Sequence, residues 1–549
     1  MLTEQFTDYL ENSIKKNWHI QAFSDYNGES FSYAEVGSEI LKFHILYESL
    51  QIKKGDKIAL IGKNSSRWGI VYLSVITYGA VIVPILPDFV AEDIHHIVNH
   101  SDSVLLFVAD TIFETLDIKQ MNQLKGAISV NTFQTIAANV NSFDDVYKKA
   151  IDSHNKNLHG KMRGEDFFLP EVTNKELAVI SYTSGTTGFS KGVMIPHNSL
   201  AGNIRFAQNH MPLDPGDNIV SFLPLAHTYG CAFEFLFPFS IGCHITFLTK
   251  TPSPQIIIKA FQEIKPSLVL SVPLVIEKIY KKQIIPVINK PVMKVILKIP
   301  GLNNVVYSSI KKKLTNVFGG KFREIVIGGA SFNPEAEKFF RKIKFPYTVG
   351  YGMTECGPLI SYSSWKTNKL GASGKAVDTL EVKIDSENPE SEVGEIILRG
   401  EHLMYGYYKN EKATSEVIDK DGWFHTGDVG TIGKDGNIFI KGRIKSLIVG
   451  PNGKNIYPEE LEAKINNKFG IGESLVVLRN DKLVALIYPD YEALKAYHMQ
   501  QPEFEKMYEE YRKDINSTSP GYMSISKFEI HDEEFQKTPK RSVKRFLYS

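Results

Sequence analysis

The sequence predicts an α/β protein with a large N-terminal lobe of βαβ subdomains, built on mostly parallel sheets, and a small C-terminal α+β domain. A chain of 549 residues is long enough for about three or four folding units. Short β-branched runs alternate with helical patterns through the first part of the chain, which is typical of parallel sheets covered by helices. The pattern changes near Gly442. We therefore expect a domain over 1–443 and a smaller domain over 444–549.

The first elements illustrate the alternation. Predicted strands cover 56–62, 80–86 and 103–110, and predicted helices cover 65–78 and 91–100. The strand pattern returns at 218–225, 243–249, 267–273 and 323–330. The polar stretch 139–175 predicts a helix within a surface excursion.

One apolar stretch is long enough that we consider whether it could span a membrane. Residues 68–87 include no charged side chain, and 20 residues are about the length of a bilayer span. Gly79 divides the stretch into a helix-like half and a β-branched half, so a buried helix followed by a buried strand is the favoured interpretation.

Composition narrows the class of protein. Hydrophobic residues make up 43% and charged residues 23%, with a net charge of +1, so overall charge gives no reason to expect nucleic acid as a partner. Three unpatterned cysteines favour a reduced compartment. The N-terminus has early acids and no apolar run typical of a secretory signal. We therefore expect a cytoplasmic protein.

The last part of the chain predicts a compact set of elements. Residues 446–465 are expected to form a strand, a turn and a helix, and 473–489 a hairpin around Asn480 and Asp481. A long polar helix is predicted over 491–514.

A glycine-rich loop, "YTSGTTGFSKG", spans 182–192 directly after an apolar run. Such a loop exposes several backbone N–H groups that can cradle a phosphate, while its hydroxyls and Lys191 add donors and positive charge. Gly185 and Gly188 do not have the spacing of the common P-loop. The alternative is a plain turn, but the length of the loop and its lysine favour a polyphosphate site.

Several further motifs follow in order: "LPLAHTYG" (223–230), "GGAS" (328–331), "YGMTECGP" (351–358), "DGWFHTGDVG" (421–430), "KGRIKSLIV" (441–449) and "NIYPEELE" (455–462). Together with the loop, they resemble the adenylate-forming acyl-CoA synthetases, AMP-binding enzymes related to luciferases and peptide-synthetase adenylation domains. "SVPLVIEKIY" (271–280) and the "LPLAH" form are similar to the long-chain fatty acid branch.

This resemblance implies a two-step reaction with ATP, Mg²⁺ and coenzyme A. A carboxylate would attack the α-phosphorus of ATP to give acyl-AMP and pyrophosphate, and the thiol of coenzyme A would then displace AMP. No nucleic acid takes part.

The resemblance also implies roles for individual residues. Glu355 and Thr186 would hold Mg²⁺, Asp428 the ribose hydroxyls with Arg443 beside them, and His227 would lie near the acyl carboxylate. Lys445 would form the hinge between the domains. The implied nucleotide-binding residues are Thr183, Ser184, Gly185, Thr186, Thr187, Gly188, Ser190 and Lys191 of the loop, and Gly329, Ala330, Ser331, Tyr351, Gly352, Met353 and Thr354 of the adenine slot and its flank. Lys191 is also a candidate catalytic residue.

Two positions depart from the family pattern. The family has a lysine near its C-terminus that reaches the acyl carboxylate and ATP; Ser542 occupies that place in "KTPKRSVKR" (537–545). A serine carries no charge, so Lys540 or Lys544 is the candidate substitute. Val449 replaces a second lysine of many relatives, and Lys454 is a candidate to compensate for it.

The segment 278–323 is basic, with eleven Lys and Arg and no Asp or Glu. Val292, Val295, Ile296 and Ile299 follow helical spacing, with Lys290, Lys294 and Lys298 as a separate stripe. This pattern fits either a helix on a membrane surface or an amphipathic helix packed on its own core.

The sequence therefore predicts a ligase that joins a medium- to long-chain fatty acid to coenzyme A, in the cytoplasm and in peripheral contact with the inner face of the membrane if the first interpretation of 278–323 holds. Two alternatives stay open: transfer to an acyl carrier protein, and an impaired nucleotide- or lipid-binding pseudoenzyme.

Overall fold

The computed structural model of the protein describes residues 2–140, 143–157, 162–183, 191–250, 253–450, 452–537 and 543–548. It confirms the predicted class: mixed α/β with mostly parallel sheets in the N-terminal part and a smaller C-terminal domain with antiparallel strands. The polar surface helix predicted within 139–175 is present as Phe143–Asn157.

The largest sheet of the described chain has eight strands and forms the centre of the N-terminal part. From edge to edge its strands are Gly406–Tyr407, Lys191–Pro196, Leu177–Thr183, Val81–Ile85, Lys57–Ile61, Ser103–Val108, Gly126–Ser129 and Thr135–Ala138. On the strand Lys57–Ile61, Ile58 and Leu60 face one core while Ala59 and Ile61 face another. Burial on both faces explains why these strands read as continuous apolar runs.

The helix Ser66–Tyr78 and the strand Val81–Ile85 confirm the buried interpretation of the long apolar stretch. The Ser65 hydroxyl accepts a hydrogen bond from the Trp68 N–H (3.1 Å) and so caps the helix start. Gly79, with φ of +87°, ends it in the left-handed region that favours glycine. Across the described ranges, no helix is long and apolar enough to cross a membrane.

The remaining described strands form smaller sheets. Two are wholly or largely parallel: Asn218–Ser221, His244–Phe247, Gln21–Asp25 and Ser30–Ser32; and Leu268–Ser271, Glu324–Ile327 and Tyr347–Val349. Two are antiparallel: Tyr351–Gly352, Leu359–Tyr362 and Lys375–Ala376; and Leu380–Asp385, Gly394–Gly400, Phe424–Ile432 and Ile438–Arg443.

The helices lie between and over these sheets. The longer ones are Phe6–Lys16, Tyr33–Ser49, Ser66–Tyr78, Ala91–His100, Phe143–Asn157, His197–His210, Pro254–Ile264, Leu302–Val317, Pro334–Lys342, Pro458–Asn466 and Gln501–Ser517. The shorter ones are Asp110–Phe113, Thr228–Gly230, Phe237–Ile241, Pro273–Ile279, Ile285–Ile288, Pro291–Ile296, Glu411–Ser415 and Tyr491–Ala496.

The small domain contains the predicted elements with one correction. The hairpin Ile471–Arg479 with Lys482–Pro489 turns at Asn480 and Asp481, both at positive φ, as a tight hairpin requires. Ile525–Ile530 pairs with its second strand in parallel, and Ile448–Val449 pairs with Asn455–Ile456. The predicted single helix over 491–514 is wrong, because the chain forms Tyr491–Ala496 and Gln501–Ser517 separately. Pro502 lies in the first turn of the second helix, where its missing N–H costs nothing, but it would interrupt one continuous helix.

Candidate functional site

The phosphate-binding candidate is the loop between two antiparallel strands, Leu177–Thr183 and Lys191–Pro196. Thr183 lies directly opposite Lys191 in this pair, so both ends of the loop are fixed at one place. The pairing was not predicted, because a short apolar run after the loop does not reveal its direction. The predicted roles of Ser184, Gly185, Thr186, Thr187, Gly188 and Ser190 lie outside the described residues.

A first cluster joins Lys191 to Glu355 through Tyr407. The Tyr407 hydroxyl donates to Glu355 Oε1 (2.9 Å), and Lys191 Nζ lies 4.8 Å from the centre of the Tyr407 ring. Tyr407 reaches this place because its short strand pairs with Lys191–Pro196. Burial, with the nearby Glu355 carboxylate, raises the pKa of Tyr407, so the hydroxyl keeps its proton and donates.

Sequence reasoning missed Tyr407. It lies more than two hundred residues from Lys191, and no helix or strand period connects the two. The aromatic run "MYGYY" (404–408) is the signal that could have indicated a functional aromatic residue.

A second cluster contains Asp428, Tyr351 and Arg443. The Tyr351 hydroxyl donates to Asp428 Oδ2 (2.8 Å), and Arg443 Nε donates to Oδ1 (2.9 Å). The strand pairing places Asp428 directly opposite Arg443. Asp428 is 5% exposed, whereas the Arg443 side chain is 71% exposed.

Burial raises the pKa of Asp428 above the ordinary aspartate value, although Arg443 and Tyr351 both oppose the shift. The carboxylate is therefore mostly desolvated but still held by two donors. A carboxylate of this kind can accept hydrogen bonds from vicinal hydroxyls that displace the tyrosine. The resemblance implied separate nucleotide contacts for Asp428, Arg443 and Tyr351, and the structure brings these three residues together in one cluster.

Tyr351 and Glu355, one from each cluster, lie on the loop at the carboxyl edge of the sheet formed by Leu268–Ser271, Glu324–Ile327 and Tyr347–Val349. The loops that follow the second and third strands carry Gly329, Ala330 and Ser331, and then Tyr351, Gly352, Met353, Thr354 and Glu355. Gly329 has φ of +90°, and Ala330 and Ser331 are exposed. Ligands of open α/β sheets bind outside this edge.

Tyr229 supports the turn before Gly329. Its hydroxyl donates to the Val326 carbonyl oxygen (3.0 Å), and a β-carbon on Gly328 would lie 3.1 Å from its ring. A side chain at 328 would therefore have to displace a packed aromatic ring.

His227 is partly exposed and lies just before the short helix Thr228–Gly230. The His227 backbone N–H donates to the Pro224 carbonyl oxygen, and the His227 carbonyl oxygen accepts from the Cys231 N–H, both at 3.0 Å.

The buried Glu234 holds the turn that precedes His227, since its Oε2 accepts from the backbone N–H groups of Phe222 and Leu223 at 2.9 Å each. Burial raises the pKa of Glu234 well above its usual range. The acid within the apolar run "CAFEFLF" (231–237) was the overlooked signal.

An apolar cavity adjoins these loops. It passes Thr228, next to His227, and Gly357, two residues after Glu355. Its wall includes Tyr72, Val179, Ile195, Leu200, Ala226, Cys231 and Leu236. The cavity has a volume of about 20 Å³, little more than one water molecule occupies, so its walls would have to move apart to admit an acyl chain.

The structure does not bring the predicted C-terminal residues to these clusters. Lys445 is exposed in the turn Ile444–Ser446, directly after Arg443. Lys454 Nζ lies 4.8 Å from the ring of Tyr522, a contact inside the small domain. The Lys544 N–H donates to the Gln536 carbonyl oxygen (2.8 Å), also inside that domain. Lys540 and Ser542 lie outside the described residues.

Comparison with known proteins gives the class. The family described as AMP-binding enzyme matches residues 10–408, which is most of the chain, and the chain belongs to this family. It is an adenylate-forming ligase of the acyl-activating type.

Two relatives with similar sequences have names that differ in the acyl acceptor. A long-chain-fatty-acid–CoA ligase, FadD15 of Mycobacterium bovis, is 28% identical over 494 residues, with 84% of this chain and 78% of that protein covered. A long-chain-fatty-acid–[acyl-carrier-protein] ligase, the chloroplastic AEE15 of Arabidopsis thaliana, is 28% identical, with 88% and 76% covered.

Solved structures confirm the fold. The anthranilate CoA ligase AuaEII in complex with anthranoyl-AMP superposes with a TM-score of 0.78 at 16% identity and covers all of this chain and 97% of that one. ATP-bound MatB from Rhodopseudomonas palustris superposes with a TM-score of 0.76 at 20% identity, with 99% and 98% covered.

Proposed function

We propose that the protein activates a medium- to long-chain fatty acid with ATP as acyl-AMP and transfers the acyl group to coenzyme A. The observation that carries this proposal is that both clusters have a member on one loop, 350–358, which also lines an apolar cavity at Gly357. One cluster joins Glu355 and Lys191 through Tyr407, and the other contains a desolvated carboxylate. The names of the curated relatives support the choice of acid.

The nucleotide is proposed to bind across the carboxyl edge of the parallel sheet. Asp428 would accept both ribose hydroxyls, and Arg443 would face the ribose and phosphate side. Tyr351 would offer its face to adenine beside Gly329, Ala330 and Ser331. The loop 183–191 would take the phosphates, with Lys191 adding positive charge against the triphosphate.

The residues present fit a magnesium ion. Mg²⁺ prefers one or two carboxylates together with phosphate oxygens. Within the described ranges, no group of three or more His, Cys, Asp or Glu side chains is arranged to hold a metal ion, so phosphate oxygens would have to complete the shell. Glu355 would supply the carboxylate and Thr186 the opposite hydroxyl, and the bound ion would neutralise charge between the phosphates. Tyr407 holds Glu355 for this role.

The acid is proposed to lie in the apolar cavity with its carboxylate toward His227. The backbone bonds at His227 and the clamp by Glu234 fix the turn that carries the imidazole. Attack then needs the carboxylate brought against the α-phosphorus, and Lys191 offsets the repulsion between the two anions.

We place the domain boundary at 443/444, with the hinge at Lys445. The small domain has a core of its own, built from 456–525, which supports movement as a unit. Such a rotation would let one cleft serve two reactions in turn. Coenzyme A and an acyl carrier protein present the same thiol chemistry, so the carrier protein is the second candidate acceptor.

A single measurement tests the activity. Pyrophosphate release should require ATP, Mg²⁺ and a fatty acid together, and should rise further when coenzyme A removes the adenylate. The acids tested should run from about C6 to C20, the size range that ligand pockets of proteins generally admit. ATP binding without pyrophosphate from any of these acids would favour the pseudoenzyme instead, and turnover with carrier protein but not coenzyme A would change the acceptor.

Lys445→Pro is expected to separate the two half-reactions. Proline fixes φ near −65° and removes a backbone donor, so the turn can no longer absorb the rotation. We expect acyl-AMP formation to persist while acyl transfer to coenzyme A slows at least about tenfold, a barrier increase of about 1.4 kcal/mol. Single-turnover assays from preformed acyl-AMP measure this, with Lys445→Ala as the matched control. Equal slowing of both steps would contradict a hinge at this residue.

Lys540 and Lys544 are proposed alternatives for the charge that Ser542 lacks. Removing the lysine that acts should slow acyl-AMP formation by at least about tenfold, as expected for a lost charged contact of about 1.5–3 kcal/mol. Transfer from preformed acyl-AMP should be unchanged. Comparing Lys540→Ala, Lys544→Ala and Lys537→Ala in both half-reactions identifies the residue. If neither of the first two slows the first step, the tail supplies no charge there.

A further inference from the structure

Residues 290–305, which we call the basic tip, form a largely exposed helical segment. It comprises the helix Pro291–Ile296, a turn, and the start of the helix Leu302–Val317. Five large apolar side chains are exposed here: Val292 (71%), Val295 (62%), Ile299 (42%), Leu302 (48%) and Val305 (66%). Of the two sequence interpretations, the packed one required Val292, Val295, Ile296 and Ile299 to lie on a core. Ile296 is partly buried, whereas Val292, Val295 and Ile299 are exposed.

The helix Leu302–Val317 is anchored beyond its first turn, where the Tyr307 ring lies 6.3 Å from that of Phe339. Leu314 and Phe318 are 3% exposed, and the Phe318 ring lies 5.8 Å from that of Phe261. The same helix therefore begins in solvent and ends in the core. Apolar side chains that are exposed together mark an interaction site rather than ordinary surface variation.

Charge at the tip has one sign. Lys290, Lys294 and Lys298 are exposed between the apolar residues. The segment 278–323 has a formal charge of +11 in a chain whose total is +1, so the remainder of the protein is net acidic. Among the described residues, only Lys282 and Arg323 of these eleven cations form ion pairs.

We propose that the basic tip docks on an anionic lipid surface. Apolar side chains interleaved with lysines are the pattern of interfacial membrane contacts, in which the chains enter the headgroup boundary and the ammonium groups meet lipid phosphates. A nucleic acid would account for the lysines but not for five exposed aliphatic chains. A second acidic protein would not require exposed valines to alternate with the lysines.

The position of the basic tip in the chain suggests what a membrane contact would do for the candidate site. The segment 278–323 lies between two neighbouring strands of one sheet, Leu268–Ser271 and Glu324–Ile327. Just after the second strand, the Gly328 N–H at the candidate nucleotide edge donates to the Ser271 carbonyl oxygen (3.1 Å). Acids with long apolar chains partition into bilayers. A tip seated on the membrane would hold the candidate site near that supply. The docking itself does not depend on the proposed ligase activity.

Flotation of the full-length protein with phosphatidylcholine vesicles, with and without phosphatidylglycerol, tests the proposal. We expect binding only with the anionic lipid, weakening as salt screens the charges. The triple change Lys290→Gln, Lys294→Gln and Lys298→Gln should weaken binding at least about tenfold, since each basic residue near an anionic surface contributes about fivefold. The same change at Lys412, Lys420 and Lys434, also exposed, alters net charge equally and should leave binding unchanged.

The apolar part has its own pair of variants. Val292→Ser with Val295→Ser should weaken vesicle binding, whereas Val90→Ser with Val393→Ser, at exposed positions elsewhere, should not. All four variants are checked for folding by thermal unfolding. Equal loss in the control variants, equal binding to neutral vesicles, tighter binding of a DNA duplex, or self-association abolished by the valine changes would each overturn the proposal. These results do not depend on pyrophosphate release, so failure of the ligase proposal is recognised separately.

Discussion

Replacing Glu355 by glutamine is expected to slow acyl-AMP formation by about 10²–10³-fold, the effect of removing one preorganised electrostatic group from a reacting centre. Glutamine keeps the shape and can still accept from the Tyr407 hydroxyl, which now lies 2.9 Å from Glu355 Oε1. What disappears is the negative charge proposed to hold Mg²⁺. Pyrophosphate formation measured across a magnesium titration should show a lower rate and a higher half-saturating magnesium concentration.

Tyr407→Phe is the matched control for Glu355→Gln. It removes the hydrogen bond but leaves both the carboxylate and an aromatic ring beside Lys191. We expect a smaller loss, about the 0.5–1.5 kcal/mol of one hydrogen bond, with little change in the magnesium requirement. If Glu355→Gln left the magnesium dependence as it is, Glu355 would be a structural partner of Tyr407 and not a metal ligand.

The second large effect is expected from Asp428→Ala, which should weaken ATP binding by about 1.5–3 kcal/mol, as for hydrogen bonds lost to a charged acceptor. The physical reason is the burial of Asp428, at 5% exposure, where a bond to ribose hydroxyls is poorly replaced by water. Isothermal titration with ATP measures the change directly. Unchanged affinity would remove Asp428 from the ribose role.

Acidification provides an independent test of Asp428. Since burial raises its pKa, the protonated fraction grows at a higher pH than for an ordinary aspartate, and ATP affinity should fall as the pH drops toward that raised value. The Asp428→Ala protein should lack this part of the pH dependence. Tyr351→Phe removes one competing donor, so it should shift the loss to still higher pH without abolishing it.

Local sequence pattern was sufficient to predict those helices, strands and turns that depend only on neighbouring residues. The strand Lys57–Ile61 and the helix Ser66–Tyr78 were predicted because both are mainly apolar, and Gly79 marks the end of the helix. The hairpin at Asn480 and Asp481 followed from turn chemistry. The resemblance then supplied candidate residues, and the structure places Asp428 beside Tyr351 and Arg443.

Contacts between distant segments were not predictable in the same way. Tyr407 joins Lys191 to Glu355 only because a two-residue strand pairs at the edge of the largest sheet, and such a short pairing leaves no periodic signal. Glu234 was overlooked because it lies among apolar residues in the sequence. A single acid there does not indicate that it accepts hydrogen bonds from the N–H groups of Phe222 and Leu223. The exposure of Val292 and Val295 depends on where the helices end, which spacing alone does not determine.

The pairing of Asp428 with Arg443 has a consequence for the order in which products leave. Arg443 is the last residue of its strand, and it is bonded across the sheet to the strand that carries Asp428. The turn with Lys445 begins only after it. If Asp428 holds the ribose and the small domain pivots at this turn, as proposed, the domain would rotate while the ribose contact stays in place. The acyl-AMP formed by the first reaction would then remain bound while the thiol arrives, so pyrophosphate should depart before the domain turns and AMP after the thioester has formed.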